Sequence, residues 1–277
     1  MSECYGNYFI MNGELMPSGE FNNSDVYEGD SLYEVLRMMG GAPLFFSDHM
    51  ERLAYSAEHH GREMLSTSDA MANDLLLLRK NAGVKEANLK IVFNYKDDRN
   101  TYLLYFIEAM YPTTKQYKEG VHVILFTAER TNPGVKIINH RLRSEIYHRL
   151  ITENAYEAFL VDDEGFITEG SRSNAFFVKG NELYTAPDDK VLGGITRKHI
   201  LDICRQNSIR VNMKSIRADE ITEFDSVFMT GTSPMVLPVN SVGALAFSTD
   251  NHVIAKVSEL YSARVKESIT SFRRPKE

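Results

Sequence analysis

The 277-residue chain has only two cysteines, Cys4 and Cys204, isolated from one another and without the partner spacing that metal or redox work requires. A reducing, cytoplasmic setting fits that usage. Long apolar runs are missing too: the best, Tyr102 to Phe106, is strand-sized, against the roughly 20 residues needed to span a bilayer. The opening residues, Met1 to Asn7, lack the positive and apolar regions of a signal peptide. Nor is there an excess of basic charge. The formal charge of −7 and a pI near 5.7 argue against nucleic acid or an anionic membrane as the main partner. His59-His60 and the other histidines show no His-Glu-x-x-His or cysteine-rich spacing, so a metal enzyme is not indicated. There is no Gly-x-Ser-x-Gly elbow and no dinucleotide fingerprint. Asp162-Asp163-Glu164-Gly165 lacks the alternating ligands and distal glutamate of a calcium loop and reads as a turn.

What is present is the composition of a globular protein, 43% hydrophobic and 25% charged, long enough for one large or two medium domains. Strand-like segments around Tyr8 to Ile10 and Leu15-Met16 flank Asn12-Gly13, a strong hairpin turn pair. A helix follows, with Asp48 as its expected cap, Glu51 closing a capping box, and Met50, Leu53, Ala54 and Ala57 on one apolar face. A second helix is expected from Asp69 to Asn81, stopped by Gly83, and then strands around Leu89 to Phe93 and Tyr102 to Met110. From Tyr111 to Gly120 the apolar periodicity is lost, which places a domain boundary there: residues 1–114 as a small α+β unit and 115–277 as a larger one. The second half is expected to hold a strand from Val121 to Phe126, a helix near Leu142 to Ile151, and a hairpin formed by Ala158 to Val161 and Phe166 to Thr168. Strands near Ala175 to Val178, Ile209 to Lys214 and Val227 to Thr230 follow, and a last helix from about Val253 to Ser271.

Several residues carry candidate chemistry. Lys136 sits between Val135 and Ile137-Ile138, an apolar setting in which desolvation favours the neutral, nucleophilic amine; a lysine on a strand is otherwise commonly solvated. Glu169, in Phe166-Ile167-Thr168-Glu169, shares a strand face with Ile167, and a carboxylate on a half-buried strand wants a cationic partner; the plain alternative is a rim glutamate beside a glycine turn. Asn174, five residues on, suits either a partner of Glu169 or ordinary turn chemistry. Gly193-Gly194-Ile195-Thr196 precedes a segment of helical character, so free N–H groups would face an anion. Thr230-Gly231-Thr232-Ser233-Pro234 offers hydroxyls and amides that could complete such a nest. Arg52 lies off the apolar stripe of its helix.

Jointly these pieces, spread from Gly29 to Val239, resemble the class IV aminotransferases, the group that includes branched-chain aminotransferases, D-amino-acid aminotransferases and 4-amino-4-deoxychorismate lyases. His49-Met-Glu-Arg52-Leu-Ala-Tyr-Ser56-Ala57 is similar to the family's His-x-x-Arg-Leu-x-x-Ser-Ala helix, and Lys136 precedes Glu169 by 33 residues, close to the family's spacing. The resemblance implies an α+β, two-domain fold type IV enzyme with a small N-terminal domain and a larger pseudo-barrel domain, pyridoxal 5'-phosphate as cofactor, and a homodimer. It also implies Lys136 as the Schiff-base lysine and general acid/base, and Glu169 as partner of the pyridine nitrogen. Arg52, Ile195, Thr196 and Thr232 become phosphate ligands, and Asn174 a support for Glu169 or the ring hydroxyl. Tyr33-Glu-Val35-Leu-Arg37 is similar to the strand that lines the substrate pocket, so Tyr33, Val35 and Arg37, with Tyr95 and Ser233, are candidate substrate residues.

The stretch Asn94 to Asn100 has no Arg-x-His pair of the D-amino-acid type, and Arg141 stands where branched-chain enzymes usually carry tyrosine. Arg37, Arg141 and Arg172 are the candidate carboxylate traps. The expected activity is transfer of an amino group between an amino acid and a 2-oxo acid. A lyase releasing pyruvate and 4-aminobenzoate, and a catalytically silent binding protein, are the alternatives, the last disfavoured by the presence of both Lys136 and Glu169.

Overall fold

A computed structural model describes residues 2–84, 86–96, 99–130 and 132–273. The chain divides into two compact units, and neither is contiguous. Unit 1 comprises Met1–Met110, Val135–Ile138 and Val265–Glu277; unit 2 comprises Tyr111–Gly134 and Asn139–Arg264.

Unit 1 is built on a six-stranded sheet. Its elements are β1 (Tyr5–Met11), β2 (Glu14–Pro17), α1 (Ser24–Tyr27), β3 (Asp30–Met39), β4 (Ala42–Pro43), α2 (Phe46–His59), α3 (Ser68–Asn81), β5 (Asn88–Tyr95) and β6 (Asn100–Ile107), and the strand order is β2-β1-β6-β5-β3-β4. The β1–β2 hairpin turns on Asn12 and Gly13, both at positive φ (49° and 86°), the conformation a two-residue turn of this kind demands. One sheet face carries Leu32, Leu36, Leu89, Ile91 and Phe93 and buries the stripes of α2 (Met50, Leu53, Ala57) and α3 (Met71, Leu75, Leu78). Each of those fully buried leucines contributes roughly 1.5–3 kcal/mol through apolar area removed from water. The opposite face carries Phe9, Tyr33, Val92, Leu103 and Tyr105.

Helix α2 starts at Phe46, three residues earlier than the expected cap at Asp48 implies. Phe45 occupies the cap position in the left-handed region (φ 53°) and no side chain caps the helix, so the expected Asp48–Glu51 capping box is not formed. Asp48 instead lies in the first turn, where its charge favours the helix dipole. Helix α3 is capped by Thr67, whose hydroxyl accepts from the Ala70 amide.

The segment Val135–Ile138 belongs to unit 1 because it adds to the free edge of β3. Leu32 and Ile137 form an antiparallel bridge, the Tyr33 amide donates to the Lys136 carbonyl (3.1 Å), and the Ile138 amide donates to the Ser31 carbonyl (3.1 Å). That register puts Ile137 on the Leu32 face and Lys136 beside Tyr33 on the other.

Unit 2 opens with α4 (Thr114–Glu119). The polar stretch that reads as a linker is a short helix, held by a capping box in which Thr113 and Gln116 satisfy one another's amides. Then come β7 (Val121–Thr127), α5 (His140–Thr152), β8 (Glu157–Val161), β9 (Phe166–Gly170), β10 (Asn174–Lys179), β11 (Glu182–Thr185), α6 (Ile195–Gln206), β12 (Val211–Met213), β13 (Ile216–Arg217), β14 (Ser226–Gly231), β15 (Met235–Val242), β16 (Leu245–Ala246) and α7 (His252–Arg273), whose end lies in unit 1. The strand order is β12-β11-β10-β14-β15-β7-β8-β9-β13, with β16 paired to β15. Its core gathers Val123, Phe159, Ile167, Phe177, Val227, Met229 and Leu237. Among the described residues no helix is long and apolar enough to cross a membrane, and no group of three or more His, Cys, Asp or Glu is placed to hold a metal ion.

Candidate active site

The candidate residues fall into two groups, one in each unit. In unit 1 the Lys136 ammonium lies 4.6 Å from the centroid of the Tyr33 ring, a cation–π contact, while its own amide donates to Ser56 Oγ on α2 (3.3 Å). Strand β3 alternates its side chains, so Tyr33, Val35 and Arg37 share the Lys136 face and Leu32, Glu34 and Leu36 point toward α2.

Glu34 is thus driven into the core between two leucines, and it is fully buried. Its carboxylate is met by Arg52 Nε (2.7 Å), Arg52 Nη2 (2.6 Å) and His49 Nδ1 (2.7 Å). Burial alone would push its pKa up, but the Arg52 charge and the Arg52 and His49 hydrogen bonds outweigh it and hold the pKa at about 2. Burial lowers the His49 pKa despite the neighbouring carboxylate, so the ring is neutral and donates through Nδ1. The network fixes the Arg52 guanidinium, a planar fork suited to an oxyanion.

Tyr95 stands apart from this group. Its ring joins the core on the Leu32 face and its hydroxyl donates to the Glu63 carbonyl (2.6 Å); burial raises its pKa to about 12. Asp97 and Asp98, within the stretch where an Arg-x-His pair was sought, lie outside the described residues.

In unit 2, Glu169 is 3% exposed on β9, where the pairing with β8 shifts register between Ile167 and Gly170, so the simple period of two does not carry through. One carboxylate oxygen pairs with Arg130 Nη1 (3.2 Å) and the other accepts the Leu192 amide (3.1 Å). Asn174 Nδ2 donates to the carbonyl of that same Leu192 (3.0 Å). The two side chains therefore grip both polar groups of one peptide residue just before α6. Gly194 lies two residues on, and a Cβ there would lie 2.0 Å from Asn174 Oδ1, so a larger residue would push the Asn174 amide out of place.

The N-terminus of α6 has no side-chain cap and no acid in its first turn. Thr196 Oγ1 accepts from the Tyr261 hydroxyl (3.3 Å). The antiparallel pairing Asn174↔Thr230 carries the half-buried Thr232-Ser233 turn to the Asn174 end of the sheet. Thr230 Oγ1 is buried there without a hydrogen-bond partner among the described residues.

Behind this group, Glu157 on β8 accepts from the Ser171 hydroxyl, the Ser173 hydroxyl (3.1 Å) and the Arg172 amide (3.3 Å), which pins the turn joining Glu169 to Asn174. Two candidate carboxylate traps do other work: Arg141 pairs with Glu145 in solvent on α5, and Arg172 donates to the Tyr156 carbonyl (3.3 Å).

The profile of the amino-transferase class IV family matches residues 31–242, the span that holds both groups. The chain belongs to that family. A D-alanine aminotransferase of Bacillus licheniformis is 27% identical over 248 residues, covering 84% of this chain and 87% of that one. The structure superposes on a branched-chain aminotransferase of Thermoproteus uzoniensis solved with norvaline, at a TM-score of 0.83 and 22% identity, covering 96% and 97% of the two chains. The branched-chain aminotransferase of Escherichia coli gives 0.83 at 20% identity, covering 94% and 95%. The fold is therefore the fold type IV arrangement. The chain is an aminotransferase of class IV, an enzyme that moves an amino group between an amino acid and a 2-oxo acid, and the class depends on pyridoxal phosphate.

The residues present fit that cofactor. A phosphate monoester asks for fixed cations, free N–H groups and hydroxyls, and the Glu34-held Arg52, the uncapped start of α6 and the Thr230 and Thr232 hydroxyls are of that chemistry. A pyridinium asks for a buried carboxylate, and Glu169 is one.

The sequence reading gave no role to Glu34, His49, Ser56, Arg130, Leu192, Tyr261 or Glu157. A signal existed for the first two. Glu34 interrupts the Leu32/Leu36 face of a strand, and His49 lies one helical turn from Arg52. The remainder act on partners far away in the sequence, which leaves no local pattern.

Proposed function

We propose that this chain is a pyridoxal-phosphate aminotransferase in which Lys136 supplies the amine that holds the cofactor and then carries a proton to and from the substrate's α-carbon. The observation that supports it most is the placing of Lys136, which a three-residue strand addition to β3 presents beside Tyr33 in the unit that fixes Arg52. When bound, pyridoxal phosphate supplies an electron sink for the α-carbon carbanion. Glu169, kept in place by Arg130 and the Leu192 amide, offers its charge to the pyridine nitrogen and favours that nitrogen's protonated form. Asn174 holds the Leu192 carbonyl and so supports the same contact. Arg52, the amides of Ile195 and Thr196, and the Thr196 and Thr232 hydroxyls hold the phosphate.

Tyr33, Val35, Arg37 and Ser233 orient the substrate, with Arg37 as the carboxylate partner because the alternation of β3 sets it on the Lys136 face with Tyr33. The same reading puts the chain in a homodimer and in a reducing cytoplasm, which the two free cysteines support. The test is the visible spectrum of the cofactor-loaded protein during titration with L-glutamate, branched-chain L-amino acids, D-alanine and aminodeoxychorismate. Bleaching by an amino acid, restored by a 2-oxo acid, is the expected result. Release of pyruvate and 4-aminobenzoate from aminodeoxychorismate with no co-substrate would replace the transferase by a lyase.

A further inference from the structure

The residue that follows Ile195 and Thr196 breaks two local rules. Arg197 sets a cation in the first turn of α6, where the helix dipole favours negative charge, and it is 3% exposed. Its guanidinium turns back from the helix onto the segment that leads into it. Nη1 donates to Asp188 Oδ1 (2.5 Å) and Nη2 to the Ala186 carbonyl (2.8 Å), with Met213 Sδ at 3.9 Å. Nε is buried without a partner among the described residues. Local costs of this kind are retained where a functional site draws on them.

Those contacts hold the connection from β11 to α6, and this connection has two anchors. At its far end the sheet grips Leu192, whose amide donates to Glu169 (3.1 Å) and whose carbonyl accepts from Asn174 (3.0 Å). At its near end Arg197 ties Ala186 and Asp188 to α6. The start of α6 has no side-chain cap, so the direction of its free amides depends on what holds the chain around them. A planar guanidinium with two simultaneous acceptors fixes that chain in rotation as well as in distance.

We propose that Arg197, closed by Asp188, is a positioning residue: it latches the β11–α6 connection to the first turn of α6 and so aims the Ile195 and Thr196 amides at the cofactor's phosphate. This inference rests on the reading of the α6 start as the phosphate end of the cofactor site. Arg197 acts through those amides and not through its own charge, because Asp188 and the Ala186 carbonyl engage the guanidinium. A lysine would keep the charge and lose the fork. The ring end of the cofactor should be spared, since Leu192 keeps its grips from the sheet.

The test is calorimetric titration of the full-length protein, freed of cofactor, with 4-deoxypyridoxine 5'-phosphate and with 4-deoxypyridoxine. Both carry a methyl group in place of the aldehyde, so neither bonds to Lys136, and the ratio of their dissociation constants reads the phosphate end alone. Arg197→Met is expected to weaken binding of the phosphorylated compound about tenfold or more and to leave the other within about twofold. Arg197→Lys should lose nearly as much. Asp188→Asn changes a side chain that is 78% exposed and so guards against a folding defect; it should weaken the phosphorylated compound about threefold or more, with the melting temperature unchanged. A phosphate preference equal to that of the wild type in Arg197→Met and Asp188→Asn overturns the proposal. So does an equal loss for both compounds, which would mean general loosening, or a full preference in Arg197→Lys, which would mean charge alone. A wild type that binds neither compound removes the cofactor site and this inference together, whereas variants that match a wild type binding both remove this inference alone. Failure of the Lys136 assignment would leave these ratios as they are.

Discussion

Replacing Glu34 by glutamine tests the network that fixes Arg52. The Glu34 side chain is fully buried and Arg52 nearly so, at 11% exposure, and three charge-assisted hydrogen bonds of 2.6–2.7 Å converge on the carboxylate. The amide keeps the volume but removes the charge and turns one acceptor into a donor aimed at Arg52 or His49. Breaking one side of a buried ion pair costs about 3–5 kcal/mol, because the remaining charge is left without its partner. At about 2–4 °C of Tm per kcal/mol for a chain of this size, the melting temperature should fall by roughly 6–20 °C.

Thermal unfolding followed by circular dichroism measures this. The double variant Glu34→Gln/Arg52→Met should be less damaged than the two single losses added together, with a coupling of about 2 kcal/mol or more. The pH dependence supplies an independent sign. Glu34 is held at about 2 in the fold against 4.5 unfolded, so its stabilisation is complete above 4.5 and is lost as pH falls toward 2. The stability gap between wild type and Glu34→Gln should therefore narrow by about 1.4 kcal/mol per pH unit below 4.5, and the Tm gap with it. A Tm within 2 °C of wild type at neutral pH, or a gap that does not change with pH, would refute the reasoning.

Two further outcomes follow from the geometry. Gly194→Ala places a methyl group 2.0 Å from Asn174 Oδ1, so the Leu192 clamp must shift; pyridoxal phosphate affinity, read by fluorescence titration, should fall about tenfold or more while the fold persists, and an unchanged affinity would contradict the cradle. His49 is lowered from 6.5 by burial, so the unfolded chain takes up that proton first and stability should already decline as pH drops below 6.5. His49→Gln, which retains a donor toward Glu34, should lose that part of the decline in thermal melts.

Much of the fold was legible because its signals are local. The Asn12-Gly13 turn, the α3 stripe of Met71, Leu75 and Leu78, and the short apolar run of β10 from Ala175 to Val178 lie within short windows of sequence. The errors fell where tertiary structure overrode a local cue. A left-handed Phe45 lets α2 begin before the better cap at Asp48, and a capping box between Thr113 and Gln116 makes a helix of a stretch with no apolar periodicity. The expected division at residue 114 lies close to the change of unit at Met110/Tyr111, but the units are not contiguous, since Val135–Ile138 pairs with β3 and Val265–Glu277 joins the same unit. Pairing between residues a hundred positions apart leaves no trace in either segment alone.

At the site, Lys136, Glu169 and Arg52 could be named as candidates through the resemblance to the family. The groups that hold them could not. Glu157 acts through a turn 14 to 16 residues away, and Glu169 and Asn174 meet at the backbone of Leu192, a residue whose side chain gives no sign of it.

The most direct measurement is the visible absorption spectrum of the purified protein with pyridoxal phosphate, wild type beside Lys136→Ala, before and after borohydride reduction and mapping of the labelled peptide. A yellow band in the wild type, its absence in the variant, and reduction that attaches the cofactor to Lys136 are predicted. A band that persists in Lys136→Ala, or a label on another lysine, would contradict the central assignment.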